Sequence, residues 1–211
     1  MKIKQQNINK SLLILLSLSF FVRAVLAMIV EFGNDEVYYW TYAMYPDWSH
    51  FDHPPMVGWL IQLFSCNLLF DSEFFLRLSS IIFMTINTYL IFLIGKQVKN
   101  EQTGFYAALL YTASIYAFVI TGIFILPDTP LSIFTLLAVL QFVKYFQYEK
   151  NKHLLLAGLF TGLAMLSKYS GVFVWVGVGL YVIIYARKEF RNPQQPAAGC
   201  GICHYCVVPL P

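Results

Sequence analysis

An all-α fold, a bundle of membrane-spanning helices, follows from three properties of this chain. Of its 211 residues, 58% are hydrophobic and only 12% charged, against roughly 25% charged in an ordinary soluble domain. Mean hydropathy is +0.62. The apolar residues are gathered into long runs, and the charges fall between the runs with their signs segregated. A soluble core could not hide this much apolar surface. A bilayer solvates it, provided that each spanning backbone closes its own hydrogen bonds, as a helix does.

Six apolar segments are expected to span, each measured against the ~20 residues needed to cross the hydrocarbon core: 12–30, 74–94, 105–126, 131–146, 154–166 and 172–185. The last three are short. Tyr145, Tyr148, Tyr169 and Tyr185 at their flanks suit the interface and extend each span by aromatic anchoring. The first segment, after Lys2 to Lys10 and ending in Ala24-Val25-Leu26-Ala27, also fits a signal peptide. Against cleavage, Arg23 interrupts the run late and apolar residues resume through Val30, as in a retained signal anchor. Arg23 lies about 12 Å of helix below Glu31 at 1.5 Å per residue, so snorkelling or an ion pair within the bundle is expected of it rather than catalysis.

Orientation follows from the charges on alternate sides. Lys2, Lys4, Lys10, Lys96, Lys99, Lys144, Lys150, Lys152, Arg187, Lys188 and Arg191 fall on the side of the N-terminus, eleven of the 14 basic residues. That side is expected to be cytoplasmic. The other side or its margin receives Glu31, Asp35, Glu36, Asp47, Asp52, Asp71, Glu73 and Asp128, eight of the 11 acidic residues. The net charge of +3 therefore reports topology and gives no reason to invoke nucleic acid.

The outer loop 31–73 is the one long connection, and it is too aromatic to be a slack linker. Asp35 through Tyr45 predicts a short helix with Tyr38, Tyr42 and Tyr45 along one face. Pro54-Pro55 opens a second helix expected to run through Phe70, lying on or dipping into the outer leaflet. Such juxtamembrane helices are expected to wall a cavity at the membrane surface. Within the loop, Asp35 and Glu36 stand beside rings and histidines directly after a span, where ionisable groups are expensive unless they pair, reach water or do chemistry.

The ordered set Asp35-Glu36-x-Tyr38-Tyr39-Trp40, Phe51-Asp52-His53-Pro54-Pro55, Leu126-Pro127-Asp128-Thr129-Pro130 and Gly162-Leu163-Ala164-Met165-Leu166-Ser167-Lys168-Tyr169-Ser170-Gly171 resembles glycosyltransferase family 39. That family includes the dolichyl-phosphate-mannose protein mannosyltransferases and the bacterial aminoarabinose transferases that modify lipid A, all of GT-C architecture. The bacterial branch is the nearer likeness, and it extends from the first span to about Asn192. The resemblance implies an inverting membrane glycosyltransferase of the bacterial inner membrane. The donor would be a polyprenyl-phosphate-linked sugar, and the acceptor a lipid A, other glycolipid, glycan or protein on the periplasmic side.

The resemblance also implies roles for particular residues. Asp35 maps onto the first acidic residue of the loop motif, the catalytic one in the family, and would take the acceptor proton. Glu36 would be a supporting or ligand-orienting group, and Asp128 a second acidic site. Consecutive helix residues diverge by about 100°, so Asp35 and Glu36 cannot serve the same spot. Without the resemblance, Asp35 could be a cap of its helix, and Asp128 a cap of the fourth span within an Asp-Thr-Pro turn. Lys168 faces the outer side against the charge rule, so something negative should compensate it: a carrier phosphate, Asp128 or Glu36. His53, Tyr38 and Tyr39 are candidate substrate contacts, although interfacial anchoring also suits the rings. His50 and His53 with Asp52 or Glu36 invite a metal reading, and some GT-C enzymes bind a divalent ion, but the spacing fixes no geometry. No metal ligand is therefore assigned, and a divalent ion stays open as a cofactor.

Residues 1–192 are expected to form the N-terminal part of one GT-C transmembrane domain. The tail 193–211 breaks the pattern. Cys200-x-x-Cys203-His204 matches a c-type haem attachment site in form, and Cys206 adds a fourth metal donor. No domain remains to enclose either group, so neither haem nor zinc is expected. Codon degeneracy allows 201–209 to be encoded so that a one-nucleotide displacement reads an apolar run, so the tail is expected to be frameshifted and the chain truncated, with activity doubtful. Two other classes compete: a transporter fragment, and a non-catalytic membrane subunit. Transporter sites lie near the midplane on interrupted helices with internal repeats, whereas the candidate groups here gather at the outer mouth.

Overall fold

The computed structural model describes residues 5–186; the basic residues Lys2, Lys4, Arg187, Lys188 and Arg191 and the cysteine-bearing tail lie outside them. Among the described residues the chain is helical without strands, a polytopic membrane bundle with two juxtamembrane helices in its first long loop. The long helix α1 (Gln5–Ile29) leaves Leu13, Ile14, Phe21 and Met28 exposed, as expected where lipid is the solvent. The loop then forms α2 (Asn34–Met44) and α3 (Met56–Phe64). The bundle continues with α4 (Glu73–Val98), α5 (Glu101–Ala113), a π-helical turn (Tyr116–Ile120), α6 (Thr121–Ile123), α7 (Asp128–Tyr148) and α8 (Asn151–Ser167). A tight turn (Tyr169–Val172) leads to α9 (Phe173–Tyr181). α4 is the hub, packing on α1, α5 and α7, while α7 and α8 form a hairpin.

Three of these helices, α1, α4 and α7, are long and apolar enough to cross a membrane, and a fourth span results if α5 and the segment 116–123 count as one. The segment 105–126 is therefore no single straight span: the axis bends by 74° after Ala113, where Ser114 is extended (φ −70°, ψ 127°). The apolar stretch Tyr169–Ile184 is shorter than a span, and α8 has 17 residues.

The second loop helix is also shorter than expected, ending at Phe64 rather than Phe70. Cys66, Asn67 and Leu68 all take positive φ (52°, 58° and 63°), a left-handed excursion that only a short, locally bonded stretch sustains. Here Leu68 N donates to Ser65 Oγ at 2.9 Å and Phe70 N to the Ser65 carbonyl at 3.0 Å.

A local core lies under the two loop helices, where Tyr39, Tyr42 and Ala43 of α2 meet Val57 and Ile61 of α3 over Leu76 of α4 and Ile125. The two helices touch backbone to side chain at Gly58, where an added Cβ would stand 2.8 Å from both Cβ and O of Tyr42. Gln62 Nε2 ties them further, donating to the Ala43 carbonyl at 3.0 Å. The loop is thus seated on the bundle as a fixed roof.

Candidate active site

α2 begins at the end of α1, and its first turn sets two neighbouring carboxylates apart. Asp35 is exposed, and its carboxylate makes no hydrogen bond or ion pair among the described residues. Glu36 is 2% exposed, the divergence that adjacent helix positions require. Helix capping falls to Glu36: its Oε2 accepts from the Gly33 amide at 3.1 Å, so Asp35 is not the cap.

Both Glu36 oxygens are fully engaged. Arg77 Nε donates to Oε1 at 2.8 Å and Nη2 to Oε2 at 2.6 Å, and the Ile125 amide donates to Oε1 at 3.0 Å. Arg77 has no exposed surface. Its remaining donors reach the carbonyls of Ala27, Val30 and Glu31 at the end of α1, and its guanidinium lies 4.8 Å from the Phe32 ring centre. One cation thereby clamps α1, α2 and α4 together and fixes the backbone from which Asp35 projects. With both oxygens taken, Glu36 has no carboxylate oxygen left open to a substrate.

Arg77 was not singled out from the sequence. The signal was available, because a lone arginine one turn after Glu73, on the acidic side of the charge pattern, breaks the rule that drew attention to Lys168.

Further along α2, Tyr38 and Tyr42 sit one turn apart and both donate to Asp52 Oδ1, Tyr38 at 2.8 Å. These bonds, Tyr42's first, hold the Asp52 carboxyl below its ordinary range, and burial, then the Tyr42 phenol's own bonds to Asp52 and to Tyr38 Oη, push that phenol up. The His50 ring stacks on Tyr42 at 3.6 Å. Tyr39 turns inward, 9% exposed. Burial, then the charges of Asp52, Asp35 and Asp128 in that order, push its phenol up to about 12. The fold therefore brings three carboxylates from separate motifs within electrostatic reach of one ring. His53 lies 5.7 Å from Tyr39, centre to centre, and its Nδ1 is buried without a hydrogen-bond partner.

At the start of α7, Asp128 meets Lys168, which follows the end of α8. The ammonium bonds Oδ1 at 3.1 Å and Oδ2 at 2.9 Å, with both side chains partly exposed. Of the compensating groups weighed for Lys168, the structure pairs it with Asp128 and not Glu36. Tyr116 Oη adds a third bond, donating to Asp128 Oδ1 at 3.1 Å. Among the described residues no three His, Cys, Asp or Glu side chains are grouped as a metal ion would require.

Arg23 departs from both expectations, making neither an ion pair among the described residues nor an escape to the interface. It has no exposed surface. Its Nε donates to the Phe118 carbonyl at 3.3 Å, and Nη1 and Nη2 are buried without partners.

A family model described as dolichyl-phosphate-mannose-protein mannosyltransferase matches residues 52–210, beginning downstream of Asp35 and Glu36. Among curated proteins, the lipid A galacturonosyltransferase RgtD of Rhizobium johnstonii is 28% identical over 165 residues, covering 77% of this chain and 34% of that protein. The chain thus spans about a third of that relative's length. No solved structure matches it.

Proposed function

The chain belongs to the dolichyl-phosphate-mannose-protein mannosyltransferase family, and on that premise we propose that it is part of a GT-C membrane enzyme moving a sugar from a polyprenyl-phosphate carrier to an acceptor hydroxyl. In this reading α2, α3 and the Asp128 turn face the periplasm, the N-terminus is cytoplasmic, and six segments span the membrane. The observation that carries the reading is the contrast in the first turn of α2: one carboxylate locked to Arg77, and its neighbour exposed and unengaged.

The acceptor oxygen attacks the anomeric carbon while Asp35 takes its proton as general base. The new C–O bond forms on the face opposite the carrier, the bond from that carbon to the phosphate oxygen breaks, and the electron pair leaves with polyprenyl phosphate. Configuration inverts. A phosphate monoester departs as a stable anion, so no general acid is needed. Lys168 stabilises the growing charge as a point cation. The exposed Tyr38 phenol and the partly exposed His53 ring supply polar contacts for sugar hydroxyls, while the buried Tyr39 packs edge-on against Tyr38. The curated relative's name supports a lipid A acceptor.

Membranes carrying the chain and its Asp35→Asn variant, assayed for consumption of polyprenyl-phosphate-linked sugar, test the proposal. Consumption abolished in the variant is the expected result. Equal consumption by both would remove Asp35 from the chemistry, and none by the unsubstituted chain would favour a non-catalytic scaffold.

A further inference from the structure

Arg23 is the unexplained charge of the bundle. It sits on α1 in the apolar run, fully buried, and two of its three guanidinium nitrogens have no hydrogen-bond partner among the described residues. A buried charge of this kind is strongly unfavourable unless it is bonded and paired. The bonds it does make converge on a single feature. Nε donates to the Phe118 carbonyl at 3.3 Å, and the guanidinium lies 4.7 Å from the Phe118 ring centre. Phe118 is the middle residue of the π-helical turn Tyr116–Ile120, and such turns inside helices mark local strain or functional sites.

That turn leads to the candidate site. Tyr116, its first residue, reaches Asp128 Oδ1 at 3.1 Å. Thr121 Oγ1 holds the Tyr116 carbonyl at 3.1 Å, and Thr129 Oγ1, beside Asp128, holds the Thr121 carbonyl at 2.8 Å. Close packing keeps Arg23 against the turn: a Cβ on Gly122 would stand 2.8 Å from Arg23 Nε and 2.6 Å from the Ala117 carbonyl oxygen.

We propose that Arg23 is a positioning residue, which by gripping the Phe118 carbonyl and ring fixes the π-helical turn and, through Tyr116, the Asp128 carboxylate against Lys168. It acts at a distance and touches no substrate. The significance of this for catalysis rests on the role proposed for Lys168, which Asp128 holds in place, but the test reads the ion pair itself, so failure of one is distinguishable from failure of the other.

The readout is amine labelling of Lys168 in the membrane-embedded chain, quantified by mass spectrometry. Lys96, paired with Glu101 at 2.7 Å at the other end of α4, serves as internal reference. Tyr116→Phe is expected to raise Lys168 labelling about fivefold, the equilibrium change of one net hydrogen bond. Arg23→Gln should raise it similarly while Lys96 stays constant. The double variant should label no more than either single one, because both substitutions release the same contact. If Arg23→Gln unfolds the bundle, Lys96 labelling rises too, and Phe118→Leu, which removes the ring beneath the guanidinium and adds no atom to the turn, carries the test. Unsubstituted-level labelling in the Arg23 or Phe118 variant that keeps its Lys96 reference, no response to Tyr116→Phe, or multiplying effects in the double variant would each overturn the proposal.

Discussion

Replacing Arg77 by methionine should be among the most damaging single changes in the chain. The side chain is of similar length and apolar, so packing is largely kept while the charge is lost. Glu36 then remains 2% exposed, with only the Gly33 and Ile125 amides as partners. Breaking a buried pair by removing one member destabilises by about 3–5 kcal/mol. Glu36→Gln should cost less, about 2 kcal/mol, because Arg77 keeps the carbonyls of Ala27, Val30 and Glu31 and hydrogen bonds to a charged group are worth about 1.5–3 kcal/mol. The double variant should fall short of the sum by about 2–3 kcal/mol, the upper range for directly coupled residues. Equilibrium unfolding in mixed micelles, followed by the fluorescence of Trp40 and Trp59 on the two loop helices, measures all three. A loss under about 1 kcal/mol for Arg77→Met, the size of an exposed ion pair, or simple additivity in the double variant, would refute the claim that this pair clamps α1, α2 and α4.

Gly58→Ala should separate α2 from α3, since the new methyl meets the Tyr42 backbone at 2.8 Å; overpacking of this kind costs about 1–3 kcal/mol, and crosslinking between cysteines on the two helices would report it as a lower yield. Asp35→Asn should lower sugar transfer by about 10²–10⁴-fold, the usual contribution of a general base, and leave unfolding in micelles unchanged because its carboxylate has no partner to lose. The Asp52 carboxyl is held below its ordinary value of 3.8, so the stability it contributes is present above that value and is lost as pH falls through the lowered folded one. Infrared titration should show Asp52 protonating at higher pH in Tyr42→Phe. Tyr39, pushed up to about 12, should stay protonated through the range in which exposed tyrosines ionise. Ultraviolet difference titration of Tyr39→Phe against the parent chain should therefore show no change near pH ~10.

Composition and periodicity made the fold class legible, because a membrane helix must be apolar along its length and that demand is met residue by residue. The loop helices and the divergence of Asp35 from Glu36 were legible for a similar reason, since both follow from local helical geometry. Sequence alone narrowed the partner of Lys168 to a carrier phosphate, Asp128 or Glu36 without choosing among them, and did not reveal the partners of Glu36 and Arg23. Arg77 lies 41 residues from Glu36, Asp128 lies 40 from Lys168, and Arg23 lies 95 from Phe118, so each contact exists only once helices have packed. The early end of α3 and the 74° bend after Ala113 were hidden as well, because neither carries a proline or glycine at the break. The chain's own chemistry thus placed acids, rings and cations at the ends of apolar runs. Packing then decided which carboxylate is neutralised and which is left free, because desolvation and pairing are properties of the surroundings and not of the residue.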